Sequence, residues 1–303
     1  MTTLRFGRYS VRTSNEDKVL FPGDGITKGE VIAYYGGVAG AMVPHLRDRP
    51  LVMQRFPDGV DKQGFYSKDA PGHFPDWIER TSVKKKGGTV NHVVCNNAAT
   101  LVYLANQGCV TLHQWPSRKD RIRNPDLMIF DLDPPGDDFG LVKDVARELR
   151  ELVTRLGLAP YLKTTGGKGL HVAVPLDRRA DFEEVRAFAR DVAIVLAADD
   201  PRNLTTEVRK EKRRGRLFLD TGRNAYGQHA VAPYSLRPRP GAPVATPLDW
   251  DELGGGVRPT TFTMKKVLGR VSEGLDPWIG MRRRAKSLAQ PRRRLDRLLA
   301  EAS

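Results

Sequence analysis

The chain has 303 residues, 40% of them hydrophobic, enough to bury a core in one or two domains. Its 50 Lys+Arg against 36 Asp+Glu leave a net charge of +14, which favours polyanionic partners, nucleic acid first among them. Two cysteines, Cys95 and Cys109, without a CxxC pair exclude a zinc ribbon, an iron–sulfur cluster and a disulfide framework. With no signal peptide and no apolar run near about 18 residues, the expectation is a cytoplasmic protein with no membrane partner.

In chain order, residues 1–60 mix short strands with one predicted helix over 28–43, capped by Thr27 with Glu30 three residues on. Residues 96–106 read as a helix and 110–113 as a strand. From residue 126 the pattern becomes a regular alternation. A strand over 127–133 leads to a helix whose Leu141, Val145, Leu149, Leu152 and Leu156 recur at helical spacing. Strands at 161–163 and 170–175 flank the turn Gly166-Gly167-Lys168-Gly169. Asp181 opens a second helix, and a strand over 216–220 completes a sheet covered by two helices. From Met281 the tail reads as a basic helix that Pro291 interrupts, either solvated or an accessory nucleic-acid contact.

The strand Leu127-Met128-Ile129-Phe130-Asp131-Leu132-Asp133 carries the densest chemistry. Alternation puts Asp131 and Asp133 on one face, where two like charges repel unless a cation sits between them. Oxygen donors of this kind suit Mg²⁺ or Mn²⁺. A strand end with solvated acids is the plain alternative. Asp220 closes Arg216-Leu217-Phe218-Leu219-Asp220 in the same apolar-to-acid manner. Three carboxylates at neighbouring strand ends would form a divalent-metal cluster, whose two ions about 3.5–4 Å apart could activate a primer hydroxyl and stabilise a leaving pyrophosphate. Asp220 taken alone reads as an ordinary strand-end or turn acid.

In Lys163-Thr164-Thr165-Gly166-Gly167-Lys168-Gly169-Leu170-His171, glycines free backbone amides to face a phosphate beside a hydroxyl, a cation and an imidazole. The Walker spacing is absent, and a glycine-rich hairpin turn is the competing reading. The charged run over 207–216 is either a solvated turn or a track for a phosphate backbone. Arg237, after Val231-Ala232-Pro233-Tyr234-Ser235-Leu236, offers a fork suited to a triphosphate.

In order, FDLDPP, TTGGKGLHV, FLDTGRN and VAPYSLRPRPGAPVATPLDWDEL resemble the polymerase domain of bacterial DNA ligase D, in the archaeo-eukaryotic primase superfamily. The likeness runs from about Ser14 to about Pro277. It implies an α+β fold: a primase-polymerase catalytic core resembling an RNA-recognition fold, packed with a smaller N-terminal α/β module. The expected division is an N-terminal module over 1–125, a core over 126–280 and a basic helix over 281–303. By match to the family motifs, Asp131, Asp133 and Asp220 hold two metal ions. Thr165, Lys168, His171 and Arg237 hold the incoming triphosphate, and His113 lies near the nucleotide sugar and triphosphate. Asn15, Lys18 and Lys28 match a pocket for the 5′-phosphate at a gap, and Phe65 matches an aromatic that stacks on a template base.

The resemblance further implies a metal-dependent nucleotidyltransferase extending 3′ ends at gaps or double-strand breaks. Expected with it are NTP or dNTP substrates, a preference for ribonucleotides and Mn²⁺, nucleoid association, and a DNA ligase and an end-binding protein as partners. Thr165 stands where the family usually has Ser and keeps the hydroxyl; Thr221-Gly222-Arg223 replaces a more usual Trp-Ser-Gln segment. Residues 114–125 form a short connection, and no KxDG ligase motif occurs, so a stand-alone enzyme or an excised domain is expected. Two rivals are a haloacid-dehalogenase-type phosphatase, disfavoured by Pro135, and a silent DNA-end binder that recruits a ligase.

Overall fold

The computed structural model describes residues 1–301, which divide into two compact units. The units interleave along the chain, so the linear division at 125 and 280 does not hold. Residues 116–125 belong with the second unit, whereas 230–246 and 260–276 return to the first. The first unit is therefore assembled from three chain segments and is not a purely N-terminal module.

In the first unit an antiparallel four-stranded sheet runs in the order Ala230–Val231, Cys109–Gln114, Leu51–Arg55, Phe65–Ser67. The helices Lys28–Gly37 and Ala98–Asn106 pack together beside it, burying Val31, Ile32, Tyr35, Leu101 and Leu104 with Leu51 and Leu112. The expected cap is formed. Thr27 Oγ1 accepts from Glu30 N at 3.2 Å, and the Glu30 carboxylate accepts from Thr27 N at 2.7 Å. The single helix expected over 28–43 instead breaks at Val38 into Lys28–Gly37 and Ala39–Leu46. Gly36 and Gly37 each weaken a helix interior by about 1 kcal/mol relative to Ala. Gly37 also admits Leu268 so closely that a Cβ there would lie 2.5 Å from its Cδ2.

The second unit is built on a six-stranded sheet in the order Leu204–Thr205, Leu217–Asp220, Leu127–Asp133, Leu170–Pro175, Tyr161–Thr164, Pro247–Leu248. All neighbours are antiparallel except the first pair. The helices Phe139–Arg155 and Phe182–Asp199 pack on this sheet and on each other, burying Val142, Val145, Leu149, Val185, Phe188 and Val192. Asp181 caps the second helix by accepting from Glu183 N and Glu184 N, both at 2.9 Å. Pro291 does not interrupt the basic helix Ala289–Glu301. It is the third residue of that helix, in the first turn, where its missing N–H leaves no bond unmade. Among the described residues, no helix is long and apolar enough to cross a membrane.

Candidate functional site

The antiparallel register of the second sheet aligns four chemical residues across four strands. Lys163 pairs with His171, His171 with Asp131, and Asp131 with Asp220. Directly opposed residues share a face, so Lys163, His171, Asp131 and Asp220 form one transverse row, with Asp133 on the same face two positions along. A strand slipped by one residue would send its member of the row to the other face.

Asp131 is 4% exposed and is held from two sides. His171 Nε2 stands 3.2 Å from its Oδ1, and Arg223 Nε donates to its Oδ2 at 3.1 Å. Burial alone would push the Asp131 carboxyl up, but His171, charged only at acid pH, and Arg223 outweigh it by charge and hydrogen bonding and hold the carboxyl well below its usual range. Burial, then the nearby Lys163 charge, push His171 down to about 4, with Asp131 opposing, so the imidazole is neutral at pH 7. A neutral imidazole has one N–H. Because a carboxylate can only accept here, that proton sits on Nε2, and the buried Nδ1 is an acceptor with no partner.

Arg223 is the cation on which the acids act together. Burial works against its charge, and the carboxylates of Asp131, Asp220 and Asp133 more than restore it. Asp220 Oδ1 meanwhile accepts from Gly222 N at 2.7 Å, closing the turn that carries Arg223. The backbone thus brings Asp131, Asp133 and Asp220 to one face, with Asp131 engaged by His171 and Arg223 and Asp220 by the Gly222 amide. Among the described residues, no group of three His, Cys, Asp or Glu stands arranged to hold a metal ion.

The glycine-rich turn lies against the acidic strand. A Cβ on Gly169 would stand 2.7 Å from Asp133 Oδ1 and 2.8 Å from the Leu132 carbonyl carbon, so only glycine fits there. Gly166 has φ +62°, a conformation glycine adopts at little cost. Thr165 organises the turn from within. Its Oγ1 donates to Gly169 O at 3.1 Å and accepts from Gly167 N at 3.1 Å and Gly169 N at 3.3 Å. The hydroxyl expected to bind phosphate is therefore engaged in holding the loop. Lys168 is half exposed, its Nζ 3.8 Å from Asp137 Oδ1. In the basic run, Arg213 stacks over Phe218 at 3.9 Å and donates to Glu207 O and Val208 O, while Arg216 bonds Arg213 O. These two arginines secure their own loop.

Sequence reasoning did not assign two residues that matter here. Arg223 was read as part of the Thr221-Gly222-Arg223 departure from the family pattern. Asn224 went unread, yet its side-chain amide bonds both the N–H and the C=O of Ile129, at 2.8 and 2.7 Å. The signal available was their position, three and four residues past Asp220.

The remaining candidates lie in the first unit. His113 is buried on Cys109–Gln114 with its ring edge-on to Tyr66, centroids 5.7 Å apart. Arg237 follows Leu236, and its backbone N–H donates to Pro243 O at 2.8 Å. Phe65 is 46% exposed on an edge strand with the Arg55 guanidinium 5.5 Å from its ring centre, so it is not a core residue. Backbone bonds gather the 5′-phosphate candidates at one helix start: Lys18 N donates to Asn15 O, and Lys28 N to Lys18 O. Lys28 Nζ donates to Ser14 O, and burial followed by the Lys18 charge lowers its pKa. Lys18 Nζ is paired with Asp58 Oδ1 at 2.9 Å.

Comparison with known proteins gives this geometry a context. The family model described as the LigD primase-polymerase domain matches residues 27–278. The multifunctional non-homologous end joining protein LigD of Mycolicibacterium smegmatis is 38% identical over 246 residues, covering 80% of this chain and 32% of that protein. The bifunctional non-homologous end joining protein LigD of Bacillus subtilis is 32% identical over 85% of this chain and 42% of its own length. The chain spans about a third of the length of the mycobacterial relatives. A solved structure, the polymerase domain from Mycobacterium tuberculosis ligase D in complex with DNA, superposes with a TM-score of 0.85 at 31% identity. It covers 91% of this chain and 99% of that one.

Proposed function

Because the chain belongs to the LigD primase-polymerase domain family, a family of nucleotidyltransferases, we propose that it extends the 3′ ends of DNA at gaps or double-strand breaks, with a preference for ribonucleotides. The observation that carries this reading is the transverse row, in which Asp131 and Asp220 are direct cross-strand neighbours and Asp133 shares their face. Work in non-homologous end joining, alongside a ligase and an end-binding protein, belongs to the same proposal.

The family implies a divalent cation, Mn²⁺ or Mg²⁺. The residues fit one: Asp131 and Asp220 are cross-strand neighbours with Asp133 on the same face, and such hard oxygen donors suit either ion. Asp131, Asp133 and Asp220 would hold the ions, which when bound polarise the reacting phosphate and neutralise its charge. The protein's own groups supply the remainder. Asp131 stays ionised throughout the physiological range, because its carboxyl is held low. The Gly166–Gly169 turn, kept in shape by Thr165, presents Lys168 to the triphosphate. His171 can donate to a phosphate oxygen only after its Nε2 proton leaves Asp131. His113 and Arg237 are assigned to the nucleotide on the family motifs. Asn15, Lys18 and Lys28 are assigned to the 5′-phosphate, and Phe65 to stacking on a template base. In the reaction, the primer 3′ oxygen forms a bond to the α-phosphorus as the bond to the leaving pyrophosphate breaks.

The test is extension of a labelled primer on a gapped duplex with a 5′-phosphate, with NTPs or dNTPs and Mn²⁺. Wild type should extend, NTPs better than dNTPs, and Asp131→Ala should not. No extension by wild type, or undiminished extension by Asp131→Ala, overturns the reading.

A further inference from the structure

Arg223 has no task in the proposed catalysis, yet its guanidinium is bonded to Asp131, the acid that pairs across the sheet with both His171 and Asp220. It is built into place. Its short turn, Gly222–Asn224, is tied to Asp220 by the Gly222 amide and to the acidic strand by both ends of the Asn224 side chain. Between these ties the guanidinium reaches Asp131 Oδ2 at 3.1 Å, with its side chain only 37% exposed. Three carboxylates gathered on one sheet face repel each other, and a fixed cation among them lowers that repulsion. With His171 on Oδ1 and Arg223 on Oδ2, both Asp131 oxygens already hold a partner, and a divalent ion arriving beside the guanidinium meets like-charge repulsion.

We propose that Arg223 is a tethered cation that holds Asp131 in the metal-free protein and competes with the divalent ion for it. The inference rests on the reading that Asp131, Asp133 and Asp220 are the metal ligands. Metal uptake then requires Oδ2 to exchange one positive partner for another. Arg223 is in this sense a positioning residue. It sets metal affinity through the state of Asp131 and prevents the buried carboxylate from being left uncompensated.

The experiment measures free Mn²⁺ by electron paramagnetic resonance during titration of the whole chain, without nucleotide. The proteins are wild type, Arg223→Gln, Arg223→Lys, Asp220→Asn and the double variant Arg223→Gln/Asp131→Asn. Removing a charge-assisted competitor of this kind should tighten Mn²⁺ binding by about tenfold in Arg223→Gln. Arg223→Lys keeps the charge and should fall between it and wild type. The double variant should lose the gain. Metal-free Arg223→Gln should also melt below wild type and rise further when Mn²⁺ is added. Equal or weaker Mn²⁺ binding by Arg223→Gln, with binding still lost in Asp220→Asn, overturns the role of Arg223 and leaves the metal ligands standing. No Mn²⁺ binding by any of the five proteins overturns both.

Discussion

Replacing Asn224 by alanine should loosen the acidic strand without touching a carboxylate. The register between Leu217–Asp220 and the acidic strand stops where Asp220 meets Asp131, so Ile129 has no residue of that strand opposite it. The Asn224 amide continues the ladder in its place. Its Oδ1 accepts from Ile129 N at 2.8 Å, and its Nδ2 donates to Ile129 O at 2.7 Å and to Thr221 O at 3.0 Å. Asn224 is 1% exposed, so alanine would strand a buried N–H and deprive two carbonyls of a donor. Each buried polar group left without a partner costs about 1–3 kcal/mol, and water entering at the turn offsets part of it. A net loss of about 2–4 kcal/mol follows. Hydrogen exchange resolved at Ile129 reads this directly: a loss of about 2 kcal/mol in protection is about 30-fold faster exchange. Asn224→Asp keeps the acceptor for Ile129 N but loses both donors, and should fall between. Unchanged exchange at Ile129 in an Asn224→Ala protein that retains its circular dichroism would refute the reasoning.

Three further outcomes can be measured. Arg118 and Asp126 form an almost fully buried pair at 2.6 Å, so Arg118→Met alone should destabilise by about 3 kcal/mol in urea unfolding, by leaving a buried charge. Arg118→Met/Asp126→Leu should recover at least half of that, and a double variant as unstable as the single contradicts the account. His171 titrates near 4 when folded against an ordinary 6.5, so between these values the unfolded chain binds a proton that the folded chain does not. Its contribution is complete above pH 6.5 and is lost as pH falls toward 4, at up to about 1.4 kcal/mol per pH unit. Melting temperatures at pH 7.5, 6 and 5 should show a smaller fall for His171→Gln than for wild type, and an equal fall counts against it. Gly169→Ala should weaken both stability, by about 1–3 kcal/mol, and primer extension, because its Cβ would press on the strand end that carries Asp133. Wild-type extension with an unchanged melting point would show that the loop moves aside freely.

Much of the second unit was legible because its elements obey simple periods. The acidic strand and the strand Leu170–Pro175 occupy the predicted residues, and the second helix begins at its expected cap, Asp181. The first unit was less so. Its sheet is completed by Ala230–Val231, which pairs with His113 and Gln114 more than 110 positions earlier. Pairing at such separation leaves no local signature, and two residues are too short for alternation to register. The break at Val38 was hidden for a different reason. Gly36 and Gly37 interrupt an otherwise good helical pattern, but whether the chain bends there depends on Leu268 packing onto the helix end, a contact from a distant segment.

The acidic pair illustrates a more general limit on reading a site from residue types. That Asp131 and Asp133 share a face follows from strand geometry alone, and that they face Asp220 required only that the third strand end in register. The charge state of the cluster is another matter, since it depends on which cation the folded backbone delivers to it. Arg223 looked interchangeable with Arg213, Arg214 and Arg216, all within ten residues of it. Arg213 stacks on Phe218 and Arg216 bonds its own loop, whereas Arg223 reaches Asp131. The difference is made by the two ties that hold its turn, the Gly222 amide on Asp220 and the Asn224 amide on Ile129. An arginine becomes part of an acidic site through what its neighbours grip, and those grips are made by residues with no charge of their own.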